Sequence, residues 1–205
     1  MDSQFGQRNE SGPNLPTDKI GGIDLFLLDQ ILKSNIHKDM DILEVGCGYG
    51  KNLSFFLENE YNISGIDIDQ EAIESIHHHL TAHFPTIAKS RFQVQDILSY
   101  THPPGAYNAI LCLAVLHTLT PQHYEIALAN MWQLLSKGGS LIIRTYVKGI
   151  GEGFSLQGGS EEHQLVPYKE LVSMLENLGG KEYEPATILL SKKNKPILSA
   201  YLVKD

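Results

Sequence analysis

Residues 41–52 read DILEVGCGYGKN, a short apolar run that breaks into a loop with glycine at positions 46, 48 and 50. Glycine reaches backbone angles closed to other residues and lets another group approach the main chain closely. Three glycines at alternate positions, directly after a buried strand, mark a loop shaped around a ligand. Dinucleotide binders place G-x-G-x-x-G there, the third glycine letting the helix pack on the strand. Here Gly46-Cys47-Gly48-Tyr49-Gly50 is followed by Lys51 and Asn52, and that spacing is missed.

Around this loop the chain alternates. DILEV, NISGID, RFQVQD, YNAILCLAV and SLIIRTYV read as strands, and NLSFFLENE, QEAIESIHHHLTAHF and QHYEIALANMWQLL as helices. Such alternation predicts an α/β fold with a mostly parallel sheet and helices on both faces. After a further helix, YKELVSMLENL, come EPATILLSK and PILSAYLVK, separated only by KNK. That link is too short for a helical crossover and suits a hairpin, so the sheet ends on an antiparallel strand. Upstream, IDLFLLDQILKSNI places Leu25, Leu28, Ile31 and Leu32 at helical spacing. Residues 1–18 are polar, with Gly12, Pro13 and Pro16, and read as a flexible leader to a single domain over 19–205. The stretch 147–166 is rich in glycine and has no long apolar period, the pattern of a lid-like insertion.

Hydrophobic residues make up 42% and charged residues 20% of the 205, an ordinary globular balance. The net charge of −8 argues against a protein that holds nucleic acid mainly through its phosphates. No apolar stretch approaches the ~20 residues that span a membrane, and the N-terminus lacks the apolar centre of a secretory signal. Two cysteines, Cys47 and Cys112, suit a reduced cytoplasm.

Three acidic residues stand at the ends of the first three strands: Glu44, Asp67 and Asp96. Asp67 is placed to accept hydrogen bonds from both hydroxyls of a ribose, and Asp96 from the exocyclic amine of an adenine. Acids beside a glycine loop suit a positively charged nucleoside rather than a phosphate. Asp69 is better suited to capping the helix that follows it.

With these motifs in this order, the chain resembles the class I S-adenosylmethionine-dependent methyltransferases. LEVGCGYGKN is similar to their glycine-rich first motif, GIDID to the acidic second, VQDI to the adenine motif, and LLSKGGSLIIRTY to the turn into their fifth strand. The resemblance implies a Rossmann-like, seven-stranded sheet with a reversed C-terminal strand. It implies S-adenosylmethionine as cofactor and S-adenosylhomocysteine as product. Cofactor contacts would fall on Glu44, Gly46, Cys47, Gly48, Asn52, Asp67, Ile68, Asp96, Ile97 and Leu113.

The cofactor brings a sulfonium-activated methyl group, and the protein must align an acceptor behind it for in-line displacement. Alignment can supply about 7–11 kcal/mol in favourable cases, and no catalytic motif is required. Acceptor-side candidates follow the fourth and fifth strands. His117 is the candidate general base, Arg144 and Tyr146 end the fifth strand, and His163 lies in the insertion. His77, His78 and His79, with His83, offer only two residues on one helix face, so no metal is expected. A small-molecule acceptor leads, with no nucleic acid or membrane partner, in a monomer or homodimer. A protein or RNA methyltransferase and a non-catalytic cofactor-binding module are the alternatives. GCGYGKN, AVLHTL and the late insertion are most similar to small bacterial methyltransferases of the tellurite-resistance type.

Overall fold

A computed structural model of the chain describes residues 22–149, 165–190 and 196–205. The expected leader, and residues 150–164 of the expected insertion with His163, lie outside the described residues. In chain order the elements are α1 Leu25–Leu32, β1 Asp41–Val45, α2 Leu53–Glu58, β2 Asn62–Asp67 and α3 Gln70–His83. Then follow β3 Phe92–Val94, β4 Tyr107–Leu113, α4 Pro121–Leu134 and β5 Leu135–Lys148. The remainder is β6 Val166–Pro167, α5 Tyr168–Asn177, β7 Lys181–Leu190 and β8 Pro196–Val203.

Seven strands form one sheet in the order β3-β2-β1-β4-β5-β8-β7, and the two-residue β6 pairs beside the end of β5. Strands β1 to β5 pair in parallel, while β8 runs antiparallel to both β5 and β7. This is the expected mostly parallel sheet with a reversed C-terminal strand. Strand order reverses at β1, which lies between β2 and β4. Ligands of open α/β sheets bind beyond the strand ends at such a point.

The central strands are apolar throughout because both of their faces are covered. In β1, Ile42 joins one hydrophobic cluster while Leu43 and Val45 join the other. Alternation continues in β4, where Ala109 and Leu111 face one way and Ile110 and Cys112 the other. One face is packed by Leu27 of α1, Phe56 of α2 and Ile73, Ile76 and Leu80 of α3. The opposite face is packed by Tyr124, Leu128 and Met131 of α4 with Leu171 and Leu175 of α5.

Three sequence expectations are corrected. The buried residues of α1 are Leu27 and Gln30; of the expected row, Leu28 and Ile31 pack partly against the core, while Leu25 and Leu32 are 74% and 77% exposed. The run LFLL offers two apolar faces, and the buried Gln30 is satisfied there by Asn35, whose Nδ2 donates to its Oε1 at 2.8 Å. Strand β3 spans three residues rather than the six of RFQVQD. Its continuation turns out of the sheet because Leu98 N–H donates to Asp96 Oδ1 at 2.9 Å. Strand β5 begins at Leu135, straight after α4, with its pairing to β4 interrupted between Tyr107 and Ala109.

Gly65 interrupts β2 where Cys47 and Phe92 close in: a Cβ there would lie 2.9 Å from Cys47 Sγ and 3.1 Å from Phe92 Cδ1. A glycine inside a strand weakens it unless something needs the space, and here the side chain of the glycine loop needs it. Gly65→Ala should cost about 1–3 kcal/mol of stability through overpacking. A urea unfolding midpoint equal to that of the parent protein would refute this account.

Candidate functional site

The glycine loop lies across the end of β2. Gly46 and Cys47 N–H groups both donate to Ile66 O, at 2.8 and 3.1 Å. Gly48 N–H donates to Asp67 Oδ2 at 2.7 Å. Gly46, Gly48 and Gly50 have φ of +69°, +50° and +80°, the left-handed region that disfavours a side chain. The reasons differ by position. A Cβ on Gly46 would lie 2.2 Å from Val115 Cγ2, whereas a Cβ on Gly48 would meet nothing within 4 Å. Gly46 is bare because Val115 packs on it; Gly48 opens toward free space.

Val115 reaches Gly46 because the chain turns sharply after β4. Ala114 has φ +60°, costly for a residue with a Cβ, and its N–H donates to Arg144 O at 2.7 Å. The turn and the loop together wall a cavity of about 380 Å³ at the strand ends. Five of the expected cofactor residues line it: Gly46, Asp67, Ile68, Asp96 and Ile97. Val45, Ile66, Gln95 and Leu98 extend those walls, and Ala114, Val115, Thr118 and Leu119 line it from the segment after β4. That segment was read only for His117, although its position after a central strand was the available signal.

Asp67 is tied on both sides, its Oδ1 accepting from Asp69 N–H at 2.9 Å while Oδ2 holds Gly48. A carboxylate oxygen has more than one lone pair, and both retain capacity for a ligand. Asp96 is held by the bond to Leu98 N–H. Asp69 caps α3, its Oδ1 accepting from Glu71 and Ala72 N–H groups.

The remaining expected residues among those described do not line the cavity. Glu44 is buried beneath the loop, with Oε1 accepting from Asn52 Nδ2 at 2.6 Å and Oε2 buried without a partner. Asn52 Oδ1 accepts from Asp24 N–H at 2.9 Å, and the Asp24 carboxylate pairs with the Arg144 guanidinium. The expected anion clamp at Arg144 is therefore engaged by the N-cap of α1. Cys47 packs against Gly65, and burial pushes its thiol upward, away from nucleophile chemistry. Leu113 packs with the α1–α3 face of the core. His117, just after β4, and Tyr146, in β5, stand together, their rings 4.9 Å apart and edge-on at 82°.

His77 Nε2 lies 3.0 and 2.8 Å from the carbonyl oxygens of Lys89 and Phe92, a structural use. The rings of His79 and His83 stack with centroids 4.5 Å apart. Among the described residues no group of three or more His, Cys, Asp or Glu side chains could hold a metal ion.

An adenosine-bearing cation fits what is present: a bare loop position at Gly48, carboxylates at two strand ends, apolar walls, and an orphaned carboxylate oxygen on Glu44. The family described as "Methyltransferase domain" matches residues 42–139. The chain is also 26% identical over 111 residues to a tRNA N(3)-cytidine methyltransferase, METTL6, of Mus musculus. The match takes in 52% of this chain and 39% of the mouse protein, so the chain spans well under half of that relative. Among solved structures, the 1,6-didemethyltoxoflavin-N1-methyltransferase of Burkholderia thailandensis, bound to 1,6-didemethyltoxoflavin and S-adenosylhomocysteine, aligns at TM-score 0.67 and 16% identity. That alignment covers 100% of this chain and 93% of the other. The [4+2]-cyclase SpnF aligns at TM-score 0.70 and 16% identity, over 87% of this chain and 80% of its own. The chain shares the Rossmann-like fold of these structures.

Glu44 makes the empty domain sensitive to pH. Burial raises its carboxyl from 4.5 to about 7; the Asn52 hydrogen bond pulls against that, and the charges of Asp24 and Asp67 add to it. Between those two values the native state holds the proton more tightly than the unfolded chain, so stability falls as pH rises through the window. The full effect is of order 3 kcal/mol. Glu44→Gln keeps an oxygen for Asn52 and has nothing to ionise. Without ligand, its urea midpoint should lose this slope and exceed the parent's above pH 7; an unchanged slope would assign the effect elsewhere.

Proposed function

We propose that the chain is an enzyme that transfers a methyl group from S-adenosylmethionine to a small-molecule acceptor by in-line displacement, leaving S-adenosylhomocysteine. The observation that carries this is the strand-end cavity, which brings the start of the glycine loop at Gly46 together with the carboxylates of Asp67 and Asp96 in an apolar slot. In this reading Asp67 holds the ribose and Asp96 the adenine amine, with Ile68 and Ile97 flanking the ring. Glu44 lies under the loop as the buried acid nearest the ligand's cationic end, braced by Asn52. His117 and Tyr146 stand on the acceptor side, and His163 is proposed to join them from the insertion. The bound cofactor supplies the activated methyl; the chain's own residues bind, orient and exclude water.

The small-molecule acceptor is favoured by net charge −8 and by overlap with a toxoflavin-type methyltransferase along nearly the whole of both chains. The likeness of GCGYGKN and AVLHTL supports a small bacterial methyltransferase of the tellurite-resistance type. Two buried, unpaired cysteines suit the cytoplasm, where we propose that it acts as a monomer or homodimer. An RNA acceptor is the second reading, favoured by the similarity to METTL6. The kinship of fold with a cyclase means that cofactor binding and methyl transfer need separate tests.

Calorimetric titration of the full chain with S-adenosylmethionine should give micromolar binding, weakened at least about tenfold, or 1.4 kcal/mol, by Asp67→Ala. Methyl-labelled cofactor incubated with a cell extract should then leave label in the dialysable fraction. Label in tRNA would establish the second reading, and folded protein that binds no cofactor would overturn both.

A further inference from the structure

His117 stands on the acceptor side of the cavity, and which of its nitrogens carries the proton decides what it can do there. Thr145, within β5 and only 1% exposed, lies against the short 3₁₀ turn Leu116–Thr118. Its Oγ1 is 3.2 Å from the His117 main-chain N and 3.2 Å from His117 Nδ1. The main-chain N–H can only donate, so it occupies one lone pair of the hydroxyl oxygen. The hydroxyl hydrogen, buried, then needs an acceptor. Among the described residues, Nδ1 of His117 is the acceptor within hydrogen-bond reach. Were Nδ1 the donor instead, Oγ1 would accept twice and its own hydrogen would be orphaned in the core.

We infer that Thr145 is a positioning residue that holds neutral His117 as the Nε2–H tautomer, so that His117 acts as a hydrogen-bond donor and not as a general base. The imidazole's one lone pair is committed to Thr145 through Nδ1, and Tyr146, packed edge-on, steadies the ring plane. This narrows the acceptor, on the reading of the chain as a methyltransferase. Its nucleophilic atom arrives with an available lone pair and without His117 taking its proton, as a carboxylate, phenolate, thiolate or aromatic ring nitrogen does. The methyl–sulfur bond breaks as the new bond forms, and any proton on the acceptor leaves to solvent or to another group.

The test is a long-range proton–nitrogen correlation spectrum of the full-length, cofactor-free chain labelled with ¹⁵N-histidine, at about pH 8 where imidazole is neutral. His117 signals are assigned by their loss in His117→Gln. The expected spectrum has a protonated Nε2 and an unprotonated Nδ1. A proton on Nδ1, or an even mixture, overturns the inference. Thr145→Ser should keep the pattern, and Thr145→Val, with its remaining signals showing it folded, should abolish the preference. A Thr145→Val spectrum identical to the parent's removes Thr145 from the role. If Thr145→Val does not fold, the parent and Thr145→Ser spectra still decide the tautomer. The measurement needs no cofactor, so failure of the methyltransferase reading would appear separately, as absent cofactor binding.

Discussion

The site hangs on one hydrogen bond, from the Gly48 N–H to the Asp67 carboxylate. The three glycines that let the loop turn also make it floppy in isolation, since glycine loses more conformational freedom on ordering than any other residue. A tether is needed, and Asp67 provides it from the end of the neighbouring strand. Its other oxygen holds Asp69, which in turn starts α3. One carboxylate thus sets the loop after β1, the exit of β2 and the entry of the next helix. A ligand touching Asp67 and the glycine loop meets two surfaces already in register, which lowers the ordering cost of binding.

A second set of contacts reinforces the loop from the opposite side. Asp24 caps α1, donates its N–H to Asn52 and pairs with Arg144; Asn52 passes the chain of bonds on to Glu44 in β1. Segments far apart in sequence meet here under the loop. The cost is a buried carboxylate oxygen on Glu44 and a buried, unpartnered Nε on Arg144. Unpaired buried polar atoms are expensive, and a folded chain keeps few of them without a use. A positively charged ligand group would relieve Glu44 directly.

The strands could be read from the sequence almost to the residue where both faces are covered. DILEV and NISGID coincide with β1 and β2, because uninterrupted apolar runs closed by a glycine or an acid leave little freedom in where the strand stops. Reading failed where tertiary contacts decide. The two residues of β6 carry no periodicity, and the inward side of α1 takes in Gln30 beside Leu27 because Asn35 satisfies the glutamine. The strand-end cavity was legible because its walls sit in short motifs at strand ends: five of the residues singled out there line it. The acceptor side was less so. Arg144 reads as an anion clamp until Asp24, 120 positions away, is seen to occupy it. Nothing in AVLHTL announces that Ala114 takes a left-handed turn and swings Val115 over Gly46.

The reversed strand β8 has a consequence for how the molecule is assembled. The most C-terminal of the described strands, it lies between β5 and β7 and pairs with β5 from Ser140 to Tyr146. Until residues 196–203 exist, the middle of the future sheet is an open edge with unpaired N–H and C=O groups beside a row of buried-type side chains. The half that carries the strand-end cavity can collapse early, since β1 to β4 and their helices precede β8 in synthesis. The nascent chain therefore passes through a stage with its ligand side largely built and its opposite half adhesive. That interval, and not the glycine loop, is where a chaperone would have most to protect.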